Sequence, residues 1–143
     1  MPTASFRILS VKEMEEFGVR VGKALTAGDV VVLRGELGAG KTTFARGVGL
    51  ALGIHEVTSP TFVISKIYPG ATPLIHVDAY RLIGSDLALF DDLDLEARIP
   101  KSITLIEWGS GFAERLEDEP INIAIDFGET VDERIVTVEG LDL

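Results

Sequence analysis

Residues 35–43, GELGAGKTT, form the segment of this chain whose residue types are best suited to chemistry. They match the pattern G-x-x-x-x-G-K-[ST], in which glycines let the backbone curl so that successive N–H groups point at one anion. A lysine at the position of Lys41 reaches the β- and γ-phosphates of a nucleotide, and the hydroxyl of Thr42 is a Mg²⁺ ligand. Because an apolar run precedes the segment and a helical pattern follows it, we predict a phosphate-binding loop at the start of a helix.

A loop of this kind needs a second acidic residue, normally at the C-terminal end of a neighbouring strand. Two acids end apolar runs: Asp78 follows LIHV, and Glu107 follows ITLI. Either acid could bind in the Mg²⁺ shell or orient the attacking water, and the sequence leaves that choice open. Thr61, in the segment SPTF, lies where a switch threonine would follow the loop helix, although its hydroxyl could instead cap a turn at Pro60. We expect His76 to be a strand residue with one hydrogen bond rather than a catalytic base.

The elements that must position the loop are visible as hydrophobic patterns on either side of it. Residues 29–35 are an apolar run rich in β-branched side chains, which predicts a fully buried strand. Residues 41–53 predict a helix that ends at a glycine. Gly47 and Gly49 lie inside this helix and indicate close packing on a sheet.

The remaining patterns alternate helices with strands. Residues 10–29 predict an amphipathic helix that begins with Ser10 and Glu13, which fit a capping box. Further strands are expected within residues 59–69, 73–82, 102–109, 121–129 and 133–140. The last two alternate apolar and polar residues, as the strands of a hairpin do. We therefore predict one α/β domain over residues 1–143, a three-layer P-loop NTPase sandwich with a mainly parallel central sheet and a C-terminal β-hairpin.

Composition and charge exclude several classes of protein. The chain has no cysteine, so disulfides, thiolate chemistry and cysteine-ligated zinc are ruled out. No apolar run approaches the roughly 18 residues needed to span a bilayer, and the N-terminus lacks the pattern of a signal peptide, so a cytoplasmic setting is expected. The net charge is −10, with 13 basic residues against 23 acidic ones. Because direct nucleic-acid binders concentrate basic residues, we expect no strong binding of nucleic acid by this chain alone.

The motifs that are absent narrow the choice of activity. Neither N-K-x-D nor D-x-x-G occurs, so the guanine-reading and switch signatures of a GTPase are missing. The chain after Glu107 has no arginine-rich lid segment, which a small-molecule kinase would ordinarily need. Hydrolysis of ATP to drive a conformational change is the leading hypothesis. A small-molecule kinase and a non-hydrolysing nucleotide switch are the alternatives.

Four motifs in a fixed order, GELGAGKTTFARG, SPTF, HVDAYRL and LIEWG, extend over about residues 10–110. With them the chain resembles the TsaE family (older name YjeE), the small bacterial ATPases of the tRNA threonylcarbamoyladenosine pathway. The resemblance implies a weak Mg²⁺-dependent ATPase that works with two paralogous sugar-kinase-like proteins. These partners carry the carbamoyl-transfer chemistry onto adenosine 37 of ANN-decoding tRNAs. Because a chain this short contributes few groups to close its own site, we expect very slow hydrolysis alone and stimulation by the partners.

The resemblance also implies ligands for ATP and Mg²⁺. The residues that would hold the ATP phosphates are Leu37, Gly38, Ala39, Gly40, Lys41 and Thr42. Thr42 and Glu107 would ligate Mg²⁺. Asp78 would support hydrolysis or the metal shell.

The remaining implied roles concern catalysis and the first helix. Thr61 would belong to a nucleotide-sensing switch together with Ser59, and the implied catalytic residues are Lys41, Asp78 and Thr61. Ser10 falls where members of the family touch the nucleotide. The capping pattern makes the same serine an N-cap, and the two roles are compatible.

Overall fold

The computed structural model describes residues 3–36, 38–58, 65–78, 95–107 and 120–143, with the backbone alone described at residues 65, 78, 95 and 96. The implied site residues Leu37 and Thr61, and Ser59 beside the latter, lie outside the described residues. The strands are β1 (Thr3–Ile8), β2 (Val30–Arg34), β3 (Ser65–Tyr68), β4 (Leu74–Asp78), β5 (Ile103–Glu107), β6 (Ile121–Phe127) and β7 (Arg134–Glu139). The helices are α1 (Val11–Ala24), α2 (Lys41–Ala51) and the short α3 (Leu95–Arg98), which runs into a 3₁₀ turn at Ile99–Lys101.

In the part of the chain that is described, all the strands belong to one sheet with the order β1-β7-β6-β2-β5-β4-β3. The central strands β6, β2, β5 and β4 are parallel to their neighbours in that group. β3 pairs antiparallel with β4 at one edge, and β7 and β1 continue the sheet antiparallel from β6 at the other. The predicted α/β fold with parallel central strands and a C-terminal hairpin is confirmed. β1 was not predicted.

Strands β2, β4 and β5 are buried on both faces, which explains their largely continuous apolar sequences, whereas β6 alternates buried residues with half-buried ones. Val31 and Leu33 of β2 belong to the core that also contains Phe44 of α2. Val30 and Val32 of the same strand point to the opposite face, where they are also buried. Within the described ranges, no helix combines the length and apolar character needed to cross a bilayer.

The helices α1 and α2 pack directly against each other through glycines. A Cβ atom added to Gly47 of α2 would lie 2.8 Å from the Cα of Gly18 and from the N of Val19, both in α1. The expectation that Gly47 packs on a sheet is therefore wrong, because its neighbour is the backbone of another helix. Gly49 lies against the side chain of Val57 and the carbonyl of Ile54, which follow the same helix.

The start of α1 follows the predicted capping pattern with one change. The backbone N–H of Glu13 donates to the Ser10 hydroxyl at 3.0 Å, as predicted. The Glu13 carboxylate accepts from the backbone N–H of Leu9 at 2.6 Å, whereas a capping box would use the N–H of Ser10. Two hydrogen bonds, one to the Ser10 hydroxyl and one to the Glu13 carboxylate, thus fix the start of α1.

Candidate nucleotide-binding site

The loop between β2 and α2 has the backbone geometry of an anion-binding loop. Gly38 and Gly40 have φ angles of +84° and +115°, a region that side chains disfavour and glycine adopts freely. A turn closes where the N–H of Ala39 donates to the carbonyl of Glu36 at 3.0 Å. The N-cap of α2 is Gly40, and no side chain of a described residue caps the start of this helix. The N–H groups of the first helical turn are therefore available to an anion, and the helix dipole favours its negative charge.

Lys41 is the first residue of α2, and its side chain folds back over the loop. The Nζ donates to the carbonyl oxygen of Gly35 at 2.6 Å, and the residue is only 8% exposed. A buried ammonium group is stable only when its hydrogen bonds and charge are matched. The arrangement holds a positive charge inside the loop, where the terminal phosphates of a nucleotide would lie.

The two candidate acids lie side by side at the carboxyl edge of the sheet. Glu107 ends β5, and the parallel register places it opposite Leu33 of β2 and opposite Asp78 of β4. Neighbouring strands are about 4.8 Å apart, so the backbones of Asp78 and Glu107 are adjacent. Since the loop leaves β2 directly after this point, the topology brings Lys41, Thr42, Asp78 and Glu107 to the same edge. This is the edge at which open α/β sheets bind their ligands.

The carboxylate of Glu107 is buried and held by a histidine. His76 Nε2 lies 3.2 Å from Glu107 Oε2, and the two side chains are 0% and 8% exposed. The expectation that His76 is a strand residue with one hydrogen bond is confirmed: it lies in β4 and, among the described residues, its buried Nδ1 has no partner. The sequence did not indicate that this bond goes to the candidate metal ligand. The contact follows from the β4–β5 register, which pairs His76 with Leu105. Glu107 lies two residues after Leu105 and therefore on the same face of the sheet as His76.

The donor set fits Mg²⁺. Thr42 offers a hydroxyl in the first turn of α2, and Glu107 offers a carboxylate, both of which are oxygen ligands of the kind that Mg²⁺ prefers. Among the described residues, no group of three or more His, Asp or Glu side chains is arranged to hold a metal by itself.

Ser10 lies at the N-terminus of α1, which touches the loop. Met14, one turn after Ser10, donates its N–H to the Ser10 carbonyl at 3.0 Å. A Cβ on Gly40 would lie 3.3 Å from the Cε of Met14, so this part of α1 packs against the loop itself. The implied contact of Ser10 with a nucleotide remains a prediction, and its position within one turn of Met14 is consistent with it.

One residue of the C-terminal hairpin reaches the loop without any sequence signal. Arg134 Nε donates to the carbonyl oxygen of Ala39 at 3.1 Å across a separation of 95 residues. The hairpin carries no recognisable motif, and only the three-dimensional pairing of β1, β7 and β6 brings Arg134 to this place.

Comparisons with known proteins show which family the chain resembles. The family model described as threonylcarbamoyl adenosine biosynthesis protein TsaE matches residues 8–136. A protein of Streptomyces coelicolor named tRNA threonylcarbamoyladenosine biosynthesis protein TsaE is 50% identical over 135 residues, which cover 90% of each chain. A Mycobacterium tuberculosis protein of the same name is 39% identical over 136 residues, 89% of this chain and 81% of that one.

A solved structure is similar to this chain in both fold and sequence. The crystal structure of YdiB from Bacillus subtilis superposes with a TM-score of 0.77 at 33% identity, covering 96% of this chain and 84% of that one. The family model spans the loop, α2, both candidate acids and most of the hairpin. The chain belongs to the TsaE family.

Proposed function

We propose that this protein is an ATP-binding and ATP-hydrolysing accessory protein for N6-threonylcarbamoyladenosine modification at position 37 of ANN-decoding tRNAs. It acts in complex with two sugar-kinase-like proteins of the same pathway. The observation that carries the proposal is the uncapped glycine loop with buried Lys41, set beside register-paired Asp78 and Glu107 in a TsaE-family chain.

Each residue has a role that follows from its position. The backbone N–H groups after Gly38 and at the start of α2 bind the phosphate oxygens, and Lys41 offsets the charge of the terminal phosphates. Thr42 and Glu107 would hold Mg²⁺, which neutralises charge that develops on the phosphates. Asp78 orients the attacking water. The bond from His76 keeps the Glu107 carboxylate in one orientation, as outer-shell partners of metal ligands do.

The charge of the chain argues that contact with tRNA is made by the partners. Neutralisation of phosphates supplies most non-specific affinity for nucleic acid, and this protein has a net charge of −10. A charge supplied in trans can accelerate related P-loop enzymes by roughly 10³ to 10⁵. Slow hydrolysis by the isolated protein and marked stimulation by the partners are therefore expected together.

Lys41→Ala tests the nucleotide site most directly. It removes the ammonium group that faces the phosphates, so ATP affinity measured by calorimetry should fall below detection. Lys23→Ala is the matched control, because Lys23 is an exposed lysine at the end of α1 and should bind ATP as the wild type does. Circular dichroism of both variants checks the fold, since Lys41 also bonds the carbonyl of Gly35. Wild-type ATP affinity in a folded Lys41→Ala variant would remove the basis of the proposal.

Steady-state phosphate release separates the proposal from its alternatives. We expect slow release alone, faster release with the two partners, and no retention of bare tRNA in a filter-binding assay. Transfer of the γ-phosphate to a small molecule would favour a kinase instead. ATP binding without turnover, even with both partners, would favour a non-hydrolysing switch.

A further inference from the structure

Arg134, at the start of β7, is a residue of the C-terminal hairpin whose side chain donates a hydrogen bond to the phosphate loop. Its Nε donates to the Ala39 carbonyl at 3.1 Å, while its Nη1 donates to the carbonyls of Val131 and Glu133 at 2.7 and 2.9 Å. The guanidinium carbon lies 4.6 Å from the centre of the Phe127 ring. We infer that Arg134 is a positioning residue that fixes the conformation of the phosphate loop for nucleotide binding. The inference rests on the proposed function.

The peptide bond that Arg134 holds controls a candidate phosphate donor. In a planar trans peptide the C=O of one residue and the N–H of the next point in opposite directions. Anchoring the Ala39 carbonyl on Arg134 therefore directs the N–H of Gly40 away from the hairpin. Gly40 is the N-cap of α2, so this N–H lies at the end of the helix that would face the phosphates.

The loop needs such an anchor because its own sequence is permissive. Gly38 and Gly40 flank Ala39, and both have positive φ angles that glycine can leave at little cost. Among the described residues other than its chain neighbours, none comes within 4 Å of a Cβ built at Gly38. A hydrogen bond from a charged donor is about twice as strong as a neutral one, and it selects one peptide orientation among several.

The anchor is itself held in place by the hairpin turn. The carboxylate of Glu133 accepts from the N–H of Glu129 at 3.1 Å and from Arg7 Nε at 2.7 Å. The N–H of Gly128 donates to the Glu133 carbonyl at 2.8 Å, which closes the turn. The Glu129 N–H and then the Arg7 guanidinium lower the pKa of Glu133 below its usual value, so it is a carboxylate at neutral pH. These bonds fix the turn that precedes Arg134, and they therefore restrict the positions that its guanidinium group can take.

The test compares Arg134→Gln and Arg134→Lys with Arg20→Gln. Arg20 is the matched control, an exposed arginine that lies 5.1 Å over the ring of Phe6 and belongs to the solvent side of α1. The first measurement is amide hydrogen exchange of residues 38–43 in nucleotide-free protein, which does not depend on the proposed function. The second is the dissociation constant for ATP with Mg²⁺, and the thermal midpoint of each variant checks the fold.

We expect both Arg134 variants to exchange faster in the loop and to bind ATP at least about tenfold more weakly, with Arg20→Gln like the wild type. Lysine keeps the charge but cannot reproduce the fork of Nε and Nη1 donors. Full ATP affinity in Arg134→Lys would overturn the inference, because charge alone would then suffice. Unchanged loop exchange in Arg134→Gln would overturn it as well. If the wild type binds no ATP, the proposed function fails, while the exchange measurement still decides the role of Arg134 in the loop.

Discussion

Replacing Gly47 by alanine adds one methyl group at the point where α1 and α2 cross. The new Cβ would lie 2.8 Å from the Cα of Gly18 and from the N of Val19, and it would also meet the carbonyl oxygen of Glu15. These are backbone atoms, which cannot rotate away as the end of a side chain can. The two helices must therefore separate.

The size of the effect follows from two opposing terms. Overpacking a well-packed contact costs about 1–3 kcal/mol, and a contact with backbone lies at the upper end. Alanine gains about 1 kcal/mol over glycine inside a helix. The free energy of unfolding of Gly47→Ala should thus fall by about 2 kcal/mol, with a thermal midpoint lower by about 4–8 °C. Because α2 begins with Lys41 and the loop, ATP affinity should fall too.

Urea denaturation of the wild type, Gly47→Ala and Gly70→Ala measures this directly. Gly70 is the control, because a Cβ there would have its nearest neighbour, the carbonyl of Thr72, at 3.6 Å, which is ordinary contact. Gly70→Ala should be neutral, or more stable by up to about 1 kcal/mol, since alanine restricts the unfolded chain. A Gly47→Ala protein as stable as the wild type would show that the helices do not need the glycine contact.

Four further substitutions test the site, the start of α1 and the hairpin turn. Glu107→Ala should weaken the Mg²⁺ dependence of ATP binding, and Asp78→Ala should lower turnover more than binding; identical Mg²⁺ titrations of wild type and Glu107→Ala would contradict the assignment. Ser10→Ala removes the N-cap and should lower the free energy of unfolding by about 1 kcal/mol in urea, with a loss of ATP affinity only if the hydroxyl also touches the nucleotide. Because the pKa of Glu133 is lowered from 4.5, its carboxylate stabilises the fold above pH 4.5, and this contribution is lost as the pH falls further. The stability difference between wild type and Glu133→Gln should therefore shrink below pH 4.5, and a constant difference would refute the ion-pair argument.

The phosphate loop could be predicted from the sequence because its chemistry is local. The glycines, Lys41 and Thr42 stand within one short segment, and the strand and helix on either side have clear apolar patterns. Asp78 and Glu107 were predicted as candidate acids by the same means, since each follows an apolar run, and the structure places both at the ends of strands. The two acids are adjacent because β4 and β5 pair in the register that sets Asp78 opposite Glu107. The sequence pattern of each strand does not determine this register.

Features that depend on pairing between distant segments could not be predicted. The six residues of β1 alternate polar and apolar side chains, but the run is short and only Ile8 is buried. The strand is completed by pairing with β7, more than 120 positions later. The bond between Arg134 and Ala39 has the same origin. The capping residues of α1 were predicted correctly, but which backbone N–H donates to the Glu13 carboxylate depends on how the chain leaves β1. Motifs within a short segment could therefore be predicted from the sequence, whereas contacts between distant segments could not.

The site is assembled from parts of the chain that have no local reason to meet. The parallel strands β2, β5 and β4 end at one edge, and this alone brings the loop and the two acids together. α1 reaches the loop through Met14, and the hairpin reaches it through Arg134. Since a ligand that binds only the native state adds its binding energy to the stability of the fold, a nucleotide held in this loop stabilises the contacts of α1 and of the hairpin as well as its own. We expect a change in the hairpin to alter nucleotide affinity only if it disturbs the loop, as loss of the bond from Arg134 to the Ala39 carbonyl would do.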